Sequence, residues 1–357
     1  MQAALLGVDD ITDELERQWR DLASRALEPN PFFEPDLLVP AVRHLSPPAE
    51  FRLLVVGQPG RYHLLMPVWR GRHWRRVPSR AAHVWTPLGI SLGTPLMDRE
   101  GATALGVAWT LLRRWAGHVV LDKLPTDGPV GAALGDMAAR RKLAVVEDHS
   151  FERGILRQPE PGEHVLAVSG KHRREMDRMT RRLEDALDGA LCVTDEADDD
   201  DTVEALLRFE AQGWRGAAGV AALDTSGAAF VRESVARLRR QGRLQLPTLR
   251  FGGKMVAALL CVTAGDTTYW LRIAHDVAYE QFSPGVTLMI AVSESIVDLE
   301  PGSVFDSCAD RGHRTINRLW RDRRTLTTTV VPTGRLGSRA TLAASRVVSQ
   351  AKPKRVV

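Results

Sequence analysis

The chain has 357 residues, 44% hydrophobic and 26% charged, the profile of a soluble globular protein with room for about two domains of ordinary size. Its net charge of +4 and pI near 9.2 come from arginine spread along the whole chain, too mild an excess to argue for a nucleic-acid binder and compatible with a basic trough for an anionic co-substrate. Cys192, Cys261 and Cys308 form no CxxC pair, which argues against a disulfide framework or zinc ribbon; no metal site is expected, no run of about 18 apolar residues spans a membrane, residues 1–10 carry no basic leader, and the expected location is cytoplasmic.

Residues 11–27 read as a helix with Leu15, Trp19, Leu22 and Ala26 on one face. Pro29, Pro31 and Pro35 end it, and Asn30-Pro31-Phe32-Phe33 reads as a turn with aromatic plugs. Apolar runs at 51–56 and 62–69 form a hairpin about Gly57-Gln58-Pro59-Gly60. Strand-like chain from 84 to 96 is broken by Pro87, Gly89, Gly93 and Pro95. A helix at 103–115, a strand at 118–124, a helix at 130–141 and a strand at 143–146 complete a first half, residues 1–150. The boundary falls at 151–161, where Pro159, Pro161 and Gly162 cluster.

The second half, 151–333, begins with a basic helix at 171–187. Met176, Met179, Leu183 and Leu187 share one face, and Lys171, Arg173, Arg174, Arg178, Arg181 and Arg182 occupy the others. An acidic run at 198–201 precedes a helix at 202–212, which Trp214 follows, and another helix covers 230–240. Apolar runs at 255–262 and 267–274 meet at Gly265-Asp266, a hairpin signal. A polar loop at 275–282 leads to Ser283-Pro284-Gly285, with Ser at the cap and Pro just inside a helix that runs to about 299. A strand that hands over through a loop to a helix N-terminus is a potential anion site. A strand at 303–305, a helix at 313–320 and a strand at 325–331 follow. The basic stretch 334–357 reads as a loosely held tail.

Both halves thus repeat hairpin, helix, strand, helix, strand. The second half carries His275-Asp276, Ala278-Tyr279, Ser283-Pro284-Gly285, Asp306 and the closing Trp320, with the basic helix and the Trp214 turn upstream. In this order the residues resemble the CelD/BcsL-type acetyltransferases, GNAT-fold proteins related in architecture to the FemAB peptidoglycan aminoacyltransferases. The resemblance implies an α/β (α+β) chain of tandem GNAT-like fold with two mixed-sheet halves. It implies an N-acyltransferase that moves an acyl group from acyl-coenzyme A, such as acetyl-coenzyme A, to an amine on a sugar, lipid or peptide precursor in cell-envelope or exopolysaccharide biosynthesis.

By the same resemblance, Trp270, Leu271, Arg272 and Ile273 contact the pantetheine, and Ser283, Gly285 and Val286 take the pyrophosphate. Asp276 or His275 accepts the proton of the attacking amine; for Asp276 the other reading is a loop cap. Tyr279 is a candidate to protonate the leaving thiolate. Lys171 and Arg174 on the basic helix are candidates for an anionic substrate group, with a solvated helix face as the competing reading, and Trp214 is a candidate roof for the acceptor pocket. One position departs from the family pattern: a lysine is usual where this chain has Asn317. Aminoacyl transfer from charged tRNA and a non-catalytic binding protein with a worn transferase fold are the alternatives.

Overall fold

Helix N-terminal chemistry and apolar spacing set the first elements. A computed structural model describes residues 1–335 apart from 59, 75, 76, 88, 161 and 252, so all but 334 and 335 of the expected basic tail lies outside the described residues. Strand β1 (Gln2–Leu6), unassigned in the sequence, is followed by helix α1 (Asp13–Ser24), where the Thr12 hydroxyl accepts from the Leu15 amide. Leu15, Trp19 and Leu22 are buried at helical spacing, and the Trp19 indole donates to the Phe33 carbonyl. The Asn30 side chain accepts from the Phe32 amide and donates to the Thr94 carbonyl, so Phe32 and Phe33 plug the core as expected.

Helix α2 (Pro35–His44) leads to strands β2 (Phe51–Gln58), β3 (Arg61–Trp74) and β4 (Val77–Val84). Of the chain expected to be strand-like at 84–96, only its two ends are in strands among the described residues, Val84 in β4 and Leu96 in β5 (Leu96–Met97), because Pro87 and Pro95 lack the amide a ladder needs. Helix α3 (Gly101–Trp115), strand β6 (His118–Pro125) and helix α4 (Pro129–Arg140) follow as expected.

Of the strand expected at 143–146 only Val146 is in one, as the first residue of β7 (Val146–Arg157), which runs through the expected boundary. Next come α5 (Gly170–Leu187), β8 (Cys192–Asp195), α6 (Asp200–Gln212), α7 (Trp214–Ala217), α8 (Gly227–Arg240), β9 (Leu244–Gln245) and β10 (Pro247–Phe251). Strands β11 (Lys254–Ala264) and β12 (Thr267–His275) precede α9 (Pro284–Glu294), β13 (Val304–Asp306), α10 (Arg314–Leu319) and β14 (Arg323–Pro332).

Contacts divide the chain into two units. The first holds Met1–Leu38, Ser46–Phe151 and the residues from Thr325 on; the second holds Val39–Leu45 and Glu152–Arg324. The first unit's sheet runs β1-β2-β3-β4-β6-β14, with β5 on β3; β4 and β6 are parallel and the other pairs antiparallel. Strand β14, read in sequence as the close of the second half, pairs with β6 from Leu326↔Pro125 to Pro332↔His118.

The second unit's sheet runs β7-β13-β12-β11-β10-β8, with β9 on β11. The β11–β12 hairpin turns at Gly265, whose φ of 58° lies in the left-handed region. One apolar cluster joins this sheet to α5, α9 and α10 through Leu183, Val256, Leu259, Leu288, Ile316 and Trp320.

Candidate active site

The site is built where β12 and β13 part. They pair in parallel over three residues, Thr267↔Val304, Thr268↔Phe305 and Tyr269↔Asp306, and β13 then ends. From Trp270 onward β12 keeps β11 on one side and has lost β13 on the other. The wedge is filled by aromatic rings: Trp270 packs at 4.7 Å on Trp320, edge to face, and at 5.8 Å on Phe305. Trp320 is held by its indole N–H, which donates to the Ser293 hydroxyl at 2.9 Å. Trp270 is only 5% exposed, and its indole nitrogen has no hydrogen-bond partner among the described residues.

Asp306, at the point of parting, is fully buried. Its carboxylate accepts from Arg153 at 2.7 Å, from Arg324 at 2.9 Å and from the Cys308 amide at 3.0 Å. Two guanidiniums around one carboxylate lock the end of β13 against β7 and the start of β14. Burial pushes the Tyr269 phenol, on the opposite strand, well above its usual range, and the Asp306 charge adds to the effect. This tyrosine is therefore held in its neutral form.

At the other end of β12, the His275 ring lies against Gly285 so closely that a Cβ there would stand 3.4 Å from Nδ1. Three residues chosen from sequence, His275, Ser283 and Gly285, thus meet at the start of α9. Ser283 is not the side-chain cap expected. It sits at φ 54°, makes no side-chain capping bond, and accepts from the Val286 and Thr287 amides through its carbonyl. Pro284 has no amide hydrogen, and Gly285 behind it is buried.

A cavity of about 220 Å³ opens at this turn. Ser283, Val286 and Thr287 form one wall, Thr315 and Arg318 of α10 another, and Met176 of α5 covers it. A second cavity of about 480 Å³ shares Met176, Thr287 and Ile290 with it and continues between α5 and α9, where Arg173 reaches Glu294 at 3.5 Å. Lys171 and Arg174 are exposed; on this helix it is Arg173 and Arg181 that line a cavity.

Asp276 faces elsewhere. Its carboxylate accepts from the Ala278 amide at 3.0 Å and caps the 3-10 turn Val277–Phe282, so the loop-cap geometry is realised. The other oxygen lies 3.7 Å from Lys254, which donates to the Tyr279 hydroxyl at 2.9 Å and stacks on its ring at 4.6 Å. Asp276 lines a separate cavity of about 330 Å³ with Lys254, Arg250 and residues of α6. Arg250 is fixed there by Glu196. Burial alone would raise the Glu196 carboxyl, but hydrogen bonds from Arg250, Thr202 and Thr194 bring it down to about 2.

Arg272 points to α6, where it donates to Glu210 at 2.6 Å, and burial pulls its guanidinium below the usual value against the pull of Glu210. Leu271 and Ile273 are half-buried on the same strand. Trp214 is 70% exposed with Arg215 stacked at 4.9 Å. Asn317 is exposed on α10 and lines none of these three cavities; Arg318, its neighbour, lines the one at α9. Sequence reasoning missed Lys254 and Thr315. Gly253, at φ 84°, precedes the strand that Lys254 opens, but nothing local places that lysine beside Tyr279.

Residues 170–324, which include the parted strands and α9, match the family described as Acetyltransferase (GNAT) domain. This stretch is a GNAT-type acyltransferase domain. The whole chain is similar in fold to FemX at a TM-score of 0.59 and 9% identity, with 97% of this chain and 100% of that one covered. It is also similar to the C-terminal domain of a candidate lysylphosphatidylglycerol synthetase from Agrobacterium fabrum, at 0.55 and 13% identity over 96% of this chain and 98% of that. A conserved protein of unknown function from Bacteroides thetaiotaomicron is similar at 0.54 and 13% identity, over 90% and 98%. No curated protein matches the chain.

No helix among the described residues is long and apolar enough to cross a membrane, and no group of three or more His, Cys, Asp or Glu among them is arranged to hold a metal ion.

Proposed function

We propose that the second unit transfers an acyl group from acyl-coenzyme A to a primary amine. The observation that carries this is the cavity at the start of α9, which joins Ser283, Thr287, Thr315 and Arg318. Hydroxyls and a guanidinium are donors suited to a phosphate group, so the residues fit the anionic part of such a donor. His275, against Gly285, is the neighbouring imidazole. Bound there, the co-substrate would supply an activated acyl carbonyl.

The chain's own residues then have divided tasks. The half-exposed edge of β12 past Trp270 offers backbone donors and acceptors that β13 no longer occupies. Asp276, on the side of α6, meets the incoming ammonium and accepts one proton from it, which frees the nitrogen lone pair; the N–C bond then forms, the nitrogen's second proton passes to water, and the C–S bond breaks. Tyr279, hydrogen-bonded to Lys254, is the nearby proton source for the departing thiolate. The acceptor would be an amine on a sugar, lipid or peptide precursor, with Trp214 beside it as an exposed ring.

Titration calorimetry with acetyl-coenzyme A tests the donor half. Binding weakened about tenfold, or 1.4 kcal/mol, in Arg318→Gln is expected. No binding by the wild-type chain would remove coenzyme A from the proposal. Aminoacyl-tRNA is the second donor considered, because Lys171, Arg174, Arg181 and Arg182 leave an exposed basic face on α5. Tight, steeply salt-dependent tRNA binding would favour it.

A further inference from the structure

The cavity that Asp276 lines has charges of both signs on two facing walls. On α6, Asp201 and Arg208 are seven residues apart, so they share a face about 10 Å apart along the axis. Opposite them stand Lys254 and Asp276. Ala205, Phe209 and Met255 supply apolar surface between the charges.

Most charged groups here are already engaged. Glu196 holds Arg250 through two hydrogen bonds, and Asp199 spends its oxygens on the Thr202 hydroxyl and the Asp201 amide. Glu204, one turn before Arg208, is claimed by both arms of Arg232. That leaves the Asp201 carboxylate and the Arg208 guanidinium, each exposed and with no side-chain hydrogen bond or ion pair among the described residues. An open anion and an open cation at opposite ends of one wall, with Lys254 and Asp276 already paired to each other at 3.7 Å, form a site complementary to a dipolar ligand.

We propose that this cavity binds a zwitterion: a primary ammonium held by Asp201, and an anionic group, carboxylate or phosphate, held by Arg208, with the Lys254–Asp276 pair lining the same cavity. The inference rests on the transferase proposal only in making this ligand the acyl acceptor, or the end of a larger acceptor such as an aminoacyl terminus. At about 330 Å³ the cavity suits an amino-acid-sized group. Apolar surface at Phe209 and Met255 accommodates the methylenes between the two charges.

The test is binding to the full chain, measured by calorimetry with acetyl-coenzyme A run alongside. L-lysine, O-phosphoethanolamine, cadaverine (amine without the anion) and hexanoate (anion without the amine) are the probes. At least one of the two zwitterions is expected to bind ten times or more tightly than both cadaverine and hexanoate, and the tighter of the two identifies the anion. Arg208→Gln should erase the advantage over cadaverine, and Asp201→Asn the advantage over hexanoate. Both positions are exposed, so unchanged melting temperatures are expected and are checked on the same samples. Equal binding of all four probes, or none while acetyl-coenzyme A binds, or variants that keep the preference, would overturn the zwitterion site. Loss of acetyl-coenzyme A binding with the zwitterion preference intact would instead overturn the donor assignment and leave this site standing.

Discussion

The Trp320 indole N–H and the Ser293 hydroxyl meet at 2.9 Å inside the core, and that one bond ties the end of α10 to the C-terminal end of α9. Ser293 itself donates to the Met289 carbonyl at 2.6 Å. Ser293→Ala leaves the indole N–H buried and unsatisfied, so unfolding free energy should fall by about 1–3 kcal/mol. Trp320→Phe in the same chain removes the orphan donor, and the double variant should lose less than the two single losses added together. Urea titration of the four proteins decides; strict additivity would show that the bond carries no coupling.

Asp306 receives two guanidiniums with no exposed surface of its own. Asp306→Asn keeps the shape and removes the charge, which leaves Arg153, 1% exposed, as a buried cation without its counter-ion. A loss of about 3–5 kcal/mol is expected. Arg324→Gln, at the partly exposed partner, should cost clearly less. Equal losses in the two variants would contradict this ranking.

The first unit should be acid-sensitive through His118. Burial, with a smaller contribution from His83, lowers its pKa to about 4. An unfolded chain's histidine, near 6.5, takes up a proton while the folded one stays neutral, so protons favour the unfolded state between these values. Stability should therefore rise with pH from about 4 to 6.5, by an amount on the order of 3 kcal/mol if the whole shift is realised. His118→Phe should flatten that part of the profile. Urea unfolding at half-unit pH steps measures it, with the difference between wild type and variant as the readout; parallel profiles would exclude His118 as the source.

Asp276→Asn separates the two roles open to that carboxylate. Asn can still accept from the Ala278 amide, so stability should change by about 1 kcal/mol or less. If Asp276 takes the amine's proton, single-turnover rate should fall about 10²–10⁴-fold while acetyl-coenzyme A affinity stays within a few-fold. Turnover near wild type would reduce Asp276 to its capping role.

Trp214 gives a prediction of the opposite kind. It is largely solvent-exposed, so Trp214→Ala should leave the melting temperature nearly unchanged. A raised KM for the acceptor with stable folding is expected if the ring borders the acceptor. An unchanged KM would leave it a surface residue.

Local chemistry made much of the site legible in the amino-acid sequence. Gly265-Asp266 announces the β11–β12 turn because glycine takes φ above zero without a Cβ clash. Pro284 announces the start of α9 because it has no amide to lose at a first helical position. The spacing of Leu15, Trp19 and Leu22 announces the buried face of α1. Each of these signals acts over a few residues and survives wherever the element is placed.

Tertiary structure alone decided who meets whom. Alternation in a strand shows which side chains share a face, but every apolar strand offers the same backbone donors and acceptors, so nothing local told β14 to pair with β6. Asp306 finds Arg153 across 153 positions, and Lys254 finds Tyr279 across 25. His275 and Asp276 are neighbours in sequence, yet one packs at the start of α9 and the other lines the cavity beside α6. The chain leaves the sheet between them, and the burial of α6 and α9 settles which side each one faces.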